Sequence, residues 1–520
     1  MRRFPALVLA VALAASSVFM TCTAETGTAV TYEFLGERAE DAGFARGIIT
    51  VTPDGSGATD GYYLVYFTDA QGVLAGYDEL AFAPVTGKKV RISVGDGLMI
   101  PFGATGIAVF ESKTHFLDEP PAMETAVAVC SIPASKQLAS LGTLQNSFGA
   151  LSDTHMNYQP YDRGAFEKLA FAMDFFADEG MEYVVITGDA TGDRGENPDL
   201  EAQYEKHLQI LQDSDFDESK VYEGIGNHGN TPKDNPLLAQ YLGGADEEHP
   251  YENSPYFSVF KKGAEGQRDL LWIFTAQELN APGETAKYDN FSKEQMDWIE
   301  GLLTTYGDTE TNIFMSVHAP FLNYGAGDRK NGGYGACITF KKEYEQTMRL
   351  KALLSEYKNV IVLSGHTHVT MYDGVNYSNE NGAFARTVHI GSSCQPCGYG
   401  ATDTYARSTD GRYPVTPEYG SEGYTVEIYE KYIVFTGYNF STGKKIPKAC
   451  LLMPVDVHAP LQEETVSSAE SASEQSAESS ADETSSDKPE GLPIGGIAAG
   501  CAVLAAGAAL TAVLIVKKKK

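Results

Sequence analysis

Basic residues are scarce in this chain. Lys and Arg total 39 against 70 Asp and Glu, for a net charge of −31 over 520 residues. Such a balance argues against a nucleic-acid-binding surface, which would need a basic patch. Part of the excess lies in a Glu/Asp/Ser-rich tail, so the folded part is less extreme. Cysteine is scarce too. Of seven, Cys22 and Cys501 fall in apolar end segments. The remainder, Cys130, Cys337, Cys394, Cys397 and Cys450, are too few for a disulfide framework. Cys394-Gln395-Pro396-Cys397 has no second Cys-x-x-Cys to pair with, so a zinc ribbon is not expected. A redox pair, a local disulfide and two thiols remain open for it. No internal repeat is present.

The two ends carry the long apolar runs. Arg2 and Arg3 precede a mostly apolar stretch from Phe4 to Val18, and small residues follow at Cys22-Thr23-Ala24. This is the pattern of a secretory signal, residues 1–24, cleaved after Ala24. An uncleaved anchor and a lipoprotein anchored through Cys22 are weaker alternatives. Ile494 to Val516 is an uncharged run of 23 residues followed by four lysines. That length crosses a hydrocarbon core of roughly 30 Å. The lysines, 517–520, are expected on the cytoplasmic side. The expectation is a single-pass protein of the cell membrane with its body outside. Leu492-Pro493-Ile494-Gly495-Gly496 is similar to a sortase sorting signal but has Gly495 where that family has threonine. A simple anchor is therefore preferred to cell-wall attachment.

At this length two or more domains are expected. Residues 25–115 alternate short apolar runs with turn signals, as in Gly47 to Thr52 followed by Pro53-Asp54-Gly55. That rhythm predicts a small all-β sandwich, similar by pattern to fibronectin type III or immunoglobulin-like modules. Residues 116–145 are expected to link. From 146 to 455 strands alternate with helices, which predicts an α/β domain. Expected helices cover Arg163–Gly180, Leu200–Gln212, a segment opened by the capping box Ser292-Lys293-Glu294-Gln295, and Lys342–Tyr357. Residues 461–490 form a stalk too polar and simple in composition to fold.

Five short motifs carry the chemistry. They are Ser152-Asp153-Thr154-His155, Gly188-Asp189, Gly226-Asn227-His228, Val317-His318-Ala319 and Gly365-His366-Thr367-His368. Each follows an apolar run that reads as a strand, and α/β sheets gather functional groups at such strand ends. Asp153 and His155 are two apart, as are His366 and His368, so an extended chain end can aim both members of a pair the same way. Mixed imidazole and carboxylate donors suit manganese, iron, zinc or cobalt better than calcium.

Together the motifs resemble the calcineurin-like metallophosphoesterase superfamily, whose five blocks appear here in order across residues 146–455. The resemblance implies a four-layer α/β/β/α sandwich holding two divalent or mixed-valence metal ions of the Mn/Fe/Zn type. It implies Asp153, His155 and His368 on the first metal, Asn227, His318 and His366 on the second, and Asp189 bridging them. His228 would protonate the leaving oxygen after a metal-bridging hydroxide attacks phosphorus. Three departures stand out, one of them a block from Gly188 to Arg194 that is one residue longer than the protein serine/threonine phosphatase form. Gly229 follows His228 where many members have an acidic residue. Gly192 stands where purple acid phosphatases have a metal-binding tyrosine, which disfavours that subgroup. Arg194 is either a phosphate clamp or a surface residue. The expected substrate is a small phosphate mono- or diester. The alternative is a surface binding or adhesion protein acting through the β module. His115, His207 and His249 are expected at the surface and His389 in a packed strand. Asn323 to Gly335 is expected to be a loop beside the site.

Overall fold

A computed structural model describes residues 18–21, 28–34, 42–53, 55, 60–95, 97–114, 117, 119–156, 164–191, 200–227, 256–276, 291–307, 309–321, 345–373, 376–378, 385–396 and 420–455. The expected catalytic residue His228, together with Gly192, Arg194, residues 323–335, Cys397, the stalk, the 494–516 run and the lysine tail, lies outside these. Among the described residues no helix is long and apolar enough to cross a membrane.

The N-terminal part is all-β. Its strands are β1 (Val18–Thr21), β2 (Ala29–Phe34), β3 (Gly47–Thr52), β4 (Tyr62–Thr68), β5 (Ala81–Pro84), β6 (Val90–Val94), β7 (Gly106–Ser112) and β8 (Ala128–Ser131). They form two antiparallel sheets, ordered β1-β2-β3-β6 and β5-β4-β7-β8. Burial in β2 and β3 alternates along the chain, as one covered face requires. Val30, Tyr32 and Phe34 of the first sheet share a buried cluster with Tyr63, Val65, Phe67, Ile107 and Val109 of the second. Two boundaries differ from expectation. β8 lies within the stretch read as a linker, and β1 lies within the expected leader. Both are edge strands of four residues, too short for a period to show.

The remainder is a mixed α/β fold with several sheets. Its elements are β9 (Leu144–Leu151), α1 (Ala165–Asp178), β10 (Tyr183–Ile186), α2 (Leu200–Asp213), β11 (Val221–Glu223), β12 (Phe257–Lys261), β13 (Asp269–Phe274), α3 (Lys293–Tyr306), β14 (Thr311–Ser316), α4 (Glu345–Glu356), β15 (Val360–Ser364), β16 (Tyr377–Ser378), β17 (Arg386–His389), β18 (Glu422–Tyr429), β19 (Tyr432–Asn439), β20 (Lys444–Lys445) and β21 (Leu451–Pro454). One sheet runs β11-β10-β9-β18-β19-β20, with β21 also on β19, and the other β12-β13-β14-β15-β17-β16. β9, β10 and β11 are mutually parallel, as are β13, β14, β15 and β17.

Packing follows from which faces are apolar. Leu169, Met173 and Phe176 of α1 and Ile210 of α2 cluster with Leu151, Val184 and Ile186 of the first sheet. Met296, Ile299 and Leu303 of α3 and Leu350 and Leu354 of α4 cluster with Ile313, Met315 and Val362 of the second. The opposite faces meet each other. Phe148 packs edge-on to Trp272 and Phe314 across the two sheets, at centroid distances of 5.6 and 4.9 Å. β14 and β15 are therefore buried along their whole length, as parallel strands covered on both faces are. At the start of α3 the capping box forms only in half. Ser292 Oγ accepts from Gln295 N–H at 3.1 Å, but the Gln295 amide turns away and bonds Ala276 N–H and C=O at 3.0 and 2.8 Å. That pairing ties the helix to the end of β13.

Candidate metal centre

Every expected ligand follows the C-terminal end of a parallel strand. β9 leads into Asp153 and His155, β10 into Asp189, β11 into Asn227, β14 into His318, and β15 into His366 and His368. Backbone bonds lock the turns together, with Asp153 N–H on Gly188 O at 3.0 Å, His155 N–H on Asp189 O at 3.0 Å and Gly365 N–H on His318 O at 2.9 Å. The two sheets thus present their loops to one point.

Six of these side chains form two groups whose ligand-type atoms lie within 4.8 Å of one another: Asp153, His155 and His368, and Asp189, His318 and His366. The remaining one, Asn227, contacts the second group through Oδ1, 2.5 Å from His366 Nδ1. The first group shows what it would hold. His155 Nδ1 faces Thr191 O at 3.3 Å, and His368 Nδ1 faces Gln395 O at 3.2 Å. A carbonyl only accepts, so in each neutral ring Nδ1 carries the hydrogen and Nε2 keeps a lone pair. Those two Nε2 atoms stand 2.8 Å apart. Asp153 Oδ1 lies 3.2 Å from His368 Nε2 and 3.6 Å from His155 Nε2, yet it is buried without a hydrogen-bond partner. Three electron-pair donors this close, two of them on buried residues, call for a positive charge among them. The residues present therefore fit a divalent cation.

The backbone is bent for this purpose. Among the described residues, positive φ at a non-glycine residue occurs at Asp153, His155, Asp189, His366 and His368, with values from 47 to 66°. All five are expected ligands. The left-handed region disfavours residues with a Cβ by roughly 1–2 kcal/mol each. Neighbouring glycines make room for the ligands. A Cβ on Gly226 would lie 2.0 Å from Asp189 Oδ1, and one on Gly365 would lie 1.8 Å from Ser152 Oγ and 2.4 Å from Asp153 Oδ2.

The electrostatics show the same demand for positive charge. Burial opposes ionisation of Asp153, but the imidazoles of His368 and His318 outweigh it and hold the carboxyl well below its ordinary range. For His318, burial disfavours the cation, but Asp189 and Asp153 overcome this and push the imidazole up to about 9. His368 is raised against its burial, chiefly by Asp153. His366 falls to about 3 through burial and the neighbouring His318. In the metal-free protein, protons occupy part of the place a cation would take.

Several supporting residues were not singled out from sequence. Ser152 Oγ and His366 N–H both donate to Asp153 Oδ2, at 2.6 and 2.9 Å, which leaves Oδ1 to face the imidazoles. Ser392 Oγ donates to Asp153 O at 2.9 Å, and Cys394 N–H and Gln395 N–H in turn bond Ser392 Oγ at 3.2 and 2.8 Å. The start of the Cys-x-x-Cys segment is thus part of the wall of the site. Cys394 is a buried thiol, so the local disulfide does not form. Cys130 is disulfide-bonded. His207, expected at the surface, is buried instead, with Nε2 2.8 Å from Glu223 Oε2. Their separation of 16 residues joins α2 to β11, a pairing no local pattern announces. His389 is buried in β17 and contacts Val369 O through Nε2 at 2.7 Å. His115 and His249 lie outside the described residues.

Residues 147–370 match the calcineurin-like phosphoesterase family. No curated protein matches the chain. Among solved structures, GAP50 of Plasmodium, the anchor in the inner membrane complex, aligns at 12% identity and a TM-score of 0.37, over 60% of this chain and 89% of that one. A predicted phosphoesterase from Streptococcus pneumoniae TIGR4 aligns at 12% identity and a TM-score of 0.26, over 60% and 99%. A cold-active protein-tyrosine phosphatase from Shewanella aligns at 11% identity and a TM-score of 0.22, over 84% and 98%. Scores this low carry no argument about function. The matched region, residues 147–370, contains all five motifs in order, so this part of the chain carries the pattern of the calcineurin-like phosphoesterase family.

Proposed function

We propose that this protein is a metal-dependent phosphoesterase that hydrolyses small phosphate mono- or diesters outside the cell, tethered by its C-terminal apolar run. The observation that carries the reading is the convergence of His155 Nε2, His368 Nε2 and Asp153 Oδ1, three ligand-type atoms within 4.8 Å of one another, with the two Nε2 atoms 2.8 Å apart. Asp153, His155 and His368 would hold one ion, and Asn227, His318 and His366 a second, with Asp189 between. When bound, two such ions neutralise phosphoryl oxygens and make water a stronger acid. The donor set, mostly imidazole with two carboxylates, suits manganese, iron or zinc.

The chain's own residues then have distinct tasks. Ser152 and the His366 amide fix the Asp153 carboxylate, and the Thr191 and Gln395 carbonyls fix the rings of His155 and His368. Preorganised donors of this kind do not have to reorient during reaction. His228, next to Asn227 in the chain, would give a proton to the leaving oxygen, a role suited to a group titrating near neutrality. The acidic surface would repel polyanions, which favours small esters as substrates. A disulfide at Cys130 fits an oxidising compartment and supports the external location.

The test is turnover of an aryl phosphate and an aryl phosphodiester by manganese-loaded protein, with Asp189→Asn in parallel. Hydrolysis by the parent and loss of both metal and activity in the variant are expected. Failure of the loaded parent to cleave either ester, with metal content unchanged by the substitution, would overturn the reading.

A further inference from the structure

The segment that follows His368 is clamped at each step. Val369 O contacts His389 Nε2 at 2.7 Å. Thr370 Oγ1 and Met371 N–H donate to the two oxygens of Glu422, at 2.5 and 2.7 Å. Met371 O accepts from Asn376 Nδ2 at 2.7 Å. These partners all come from the phosphoesterase part of the chain. The last clamp does not. Tyr372 OH donates to Asp78 Oδ2 at 2.6 Å, across a separation of 294 residues, and also accepts from Asn439 Nδ2 at 3.5 Å. Asp78 belongs to the N-terminal β module, in the stretch between β4 and β5.

Asp78 is itself held. Its N–H donates to Lys445 O at 3.0 Å, Lys444 Nζ lies 3.3 Å from its Oδ1, and the adjacent Tyr77 forms a β-bridge with Lys445. Nearby, Met99 N–H donates to Cys450 O at 2.8 Å and Leu452 N–H to Gly97 O at 2.9 Å. Both Asp78 and Tyr372 are buried. A hydrogen bond to a charged acceptor in such a place is strong and directional. Only three residues, Val369, Thr370 and Met371, separate Tyr372 from His368.

We propose that the N-terminal β module is a positioning element for the metal centre, with Asp78 fixing Tyr372 and, through residues 369–372, the turn that carries His366 and His368. Asp78 and Tyr372 are positioning residues and touch neither metal nor substrate. The proposal rests on the metal-site reading above only for its effect on affinity; its effect on the turn does not need a metal.

The test uses the full chain with Tyr372→Phe, Asp78→Ala and Asp78→Asn, the last keeping an oxygen that can accept from the tyrosine. Amide hydrogen exchange over residues 366–373 is measured in the metal-free protein, and manganese affinity is measured by titration. Tyr372→Phe and Asp78→Ala are expected to speed exchange in that segment and to weaken manganese binding about 10-fold, the scale seen when a ligand's support is removed. Asp78→Asn should recover most of both, and the Tyr372→Phe/Asp78→Ala double variant should be no worse than its poorer parent, because both break one link. A fall in melting temperature alone, with exchange over 366–373 and affinity unchanged, would overturn the proposal. If the parent binds no manganese but the exchange differences appear, the metal-site reading fails while the positioning link stands.

Discussion

Gly226→Ala isolates the position of the Asp189 carboxylate. Gly226 is not in the left-handed region, so alanine meets no backbone penalty there; its Cβ would instead lie 2.0 Å from Asp189 Oδ1 and 2.6 Å from Cγ. Real Cβ contacts stay beyond 3.0 Å, so the carboxylate or the 224–227 turn must move by about 1 Å. Asp189 N–H is also close, at 2.4 Å, which prevents the side chain from simply swinging aside. Overpacking of this kind destabilises by about 1–3 kcal/mol, and a displacement near 1 Å in a reacting site lowers the rate about 100-fold. The paired control is Gly301→Ala, within α3, where an added Cβ meets nothing within 4 Å and alanine should stabilise the helix by about 1 kcal/mol. The assays are metal titration, aryl phosphate turnover and melting of both variants. If Gly226→Ala keeps parental affinity and its turnover within about threefold, Asp189 does not act from the position it occupies here, and the bridging role assigned to it is wrong.

Ser152→Ala removes one of two donors to Asp153 Oδ2 and should weaken metal binding about 10-fold by titration, with about 1 kcal/mol lost in a denaturant melt. The raised pKa of His318, about 9 in the metal-free protein, stabilises the fold fully below its unfolded value near 6.5, and that contribution is lost as pH rises to 9. Chelator-treated protein should therefore lose melting temperature across that window, whereas metal-loaded protein, with no proton on His318 to lose, should not. The same proton must leave on loading, so calorimetry in buffers of differing ionisation enthalpy should report proton release near pH 7. His207→Ala leaves the buried Glu223 without this partner and should cost about 1–3 kcal/mol in a denaturant melt; a loss under about 0.5 kcal/mol would show that the contact contributes little. At His155, which is left-handed, the glycine variant should be more stable than the alanine variant by about 1 kcal/mol, whereas at His318, which is not, alanine should be the better of the two. Equal ordering at both sites would remove the strain argument.

The parts of this fold visible in the sequence are those set by neighbours in the chain. The apolar runs before Asp153, Asp189, His318 and His366 mark strands because burial on both faces needs unbroken hydrophobicity, and the polar residues after each run mark the strand ends. Helices α1 to α4 fall where helical spacing placed them, within a few residues. What stayed hidden depends on partners far along the chain. His207 looks like a surface residue until Glu223 is brought to it. Thr370 and Glu422 are 52 residues apart, and Asp78 and Tyr372 are joined only by the packing of one fold unit on another. β1 and β8 escaped for a different reason, since four residues at a sheet edge carry too little pattern to show.

Five of the seven expected ligands are left-handed, a feature that residue types alone could not describe. Local preference at these five positions, spread over three of the motifs, would favour glycine, and the chain has Asp or His there instead. Nothing in folding alone rewards that choice, because each such residue destabilises the backbone and adds a polar group to a buried place. The compensation is visible only in three dimensions, in the backbone bonds that pin Asp153 and His155 to the Gly188–Asp189 turn and in the glycines that leave space for carboxylates. A sequence optimised for stability would discard this arrangement. Its presence at every member of both three-residue groups except His318 is therefore better explained by what the side chains hold than by how the chain folds, and the strain and the convergence of lone pairs are two consequences of one requirement.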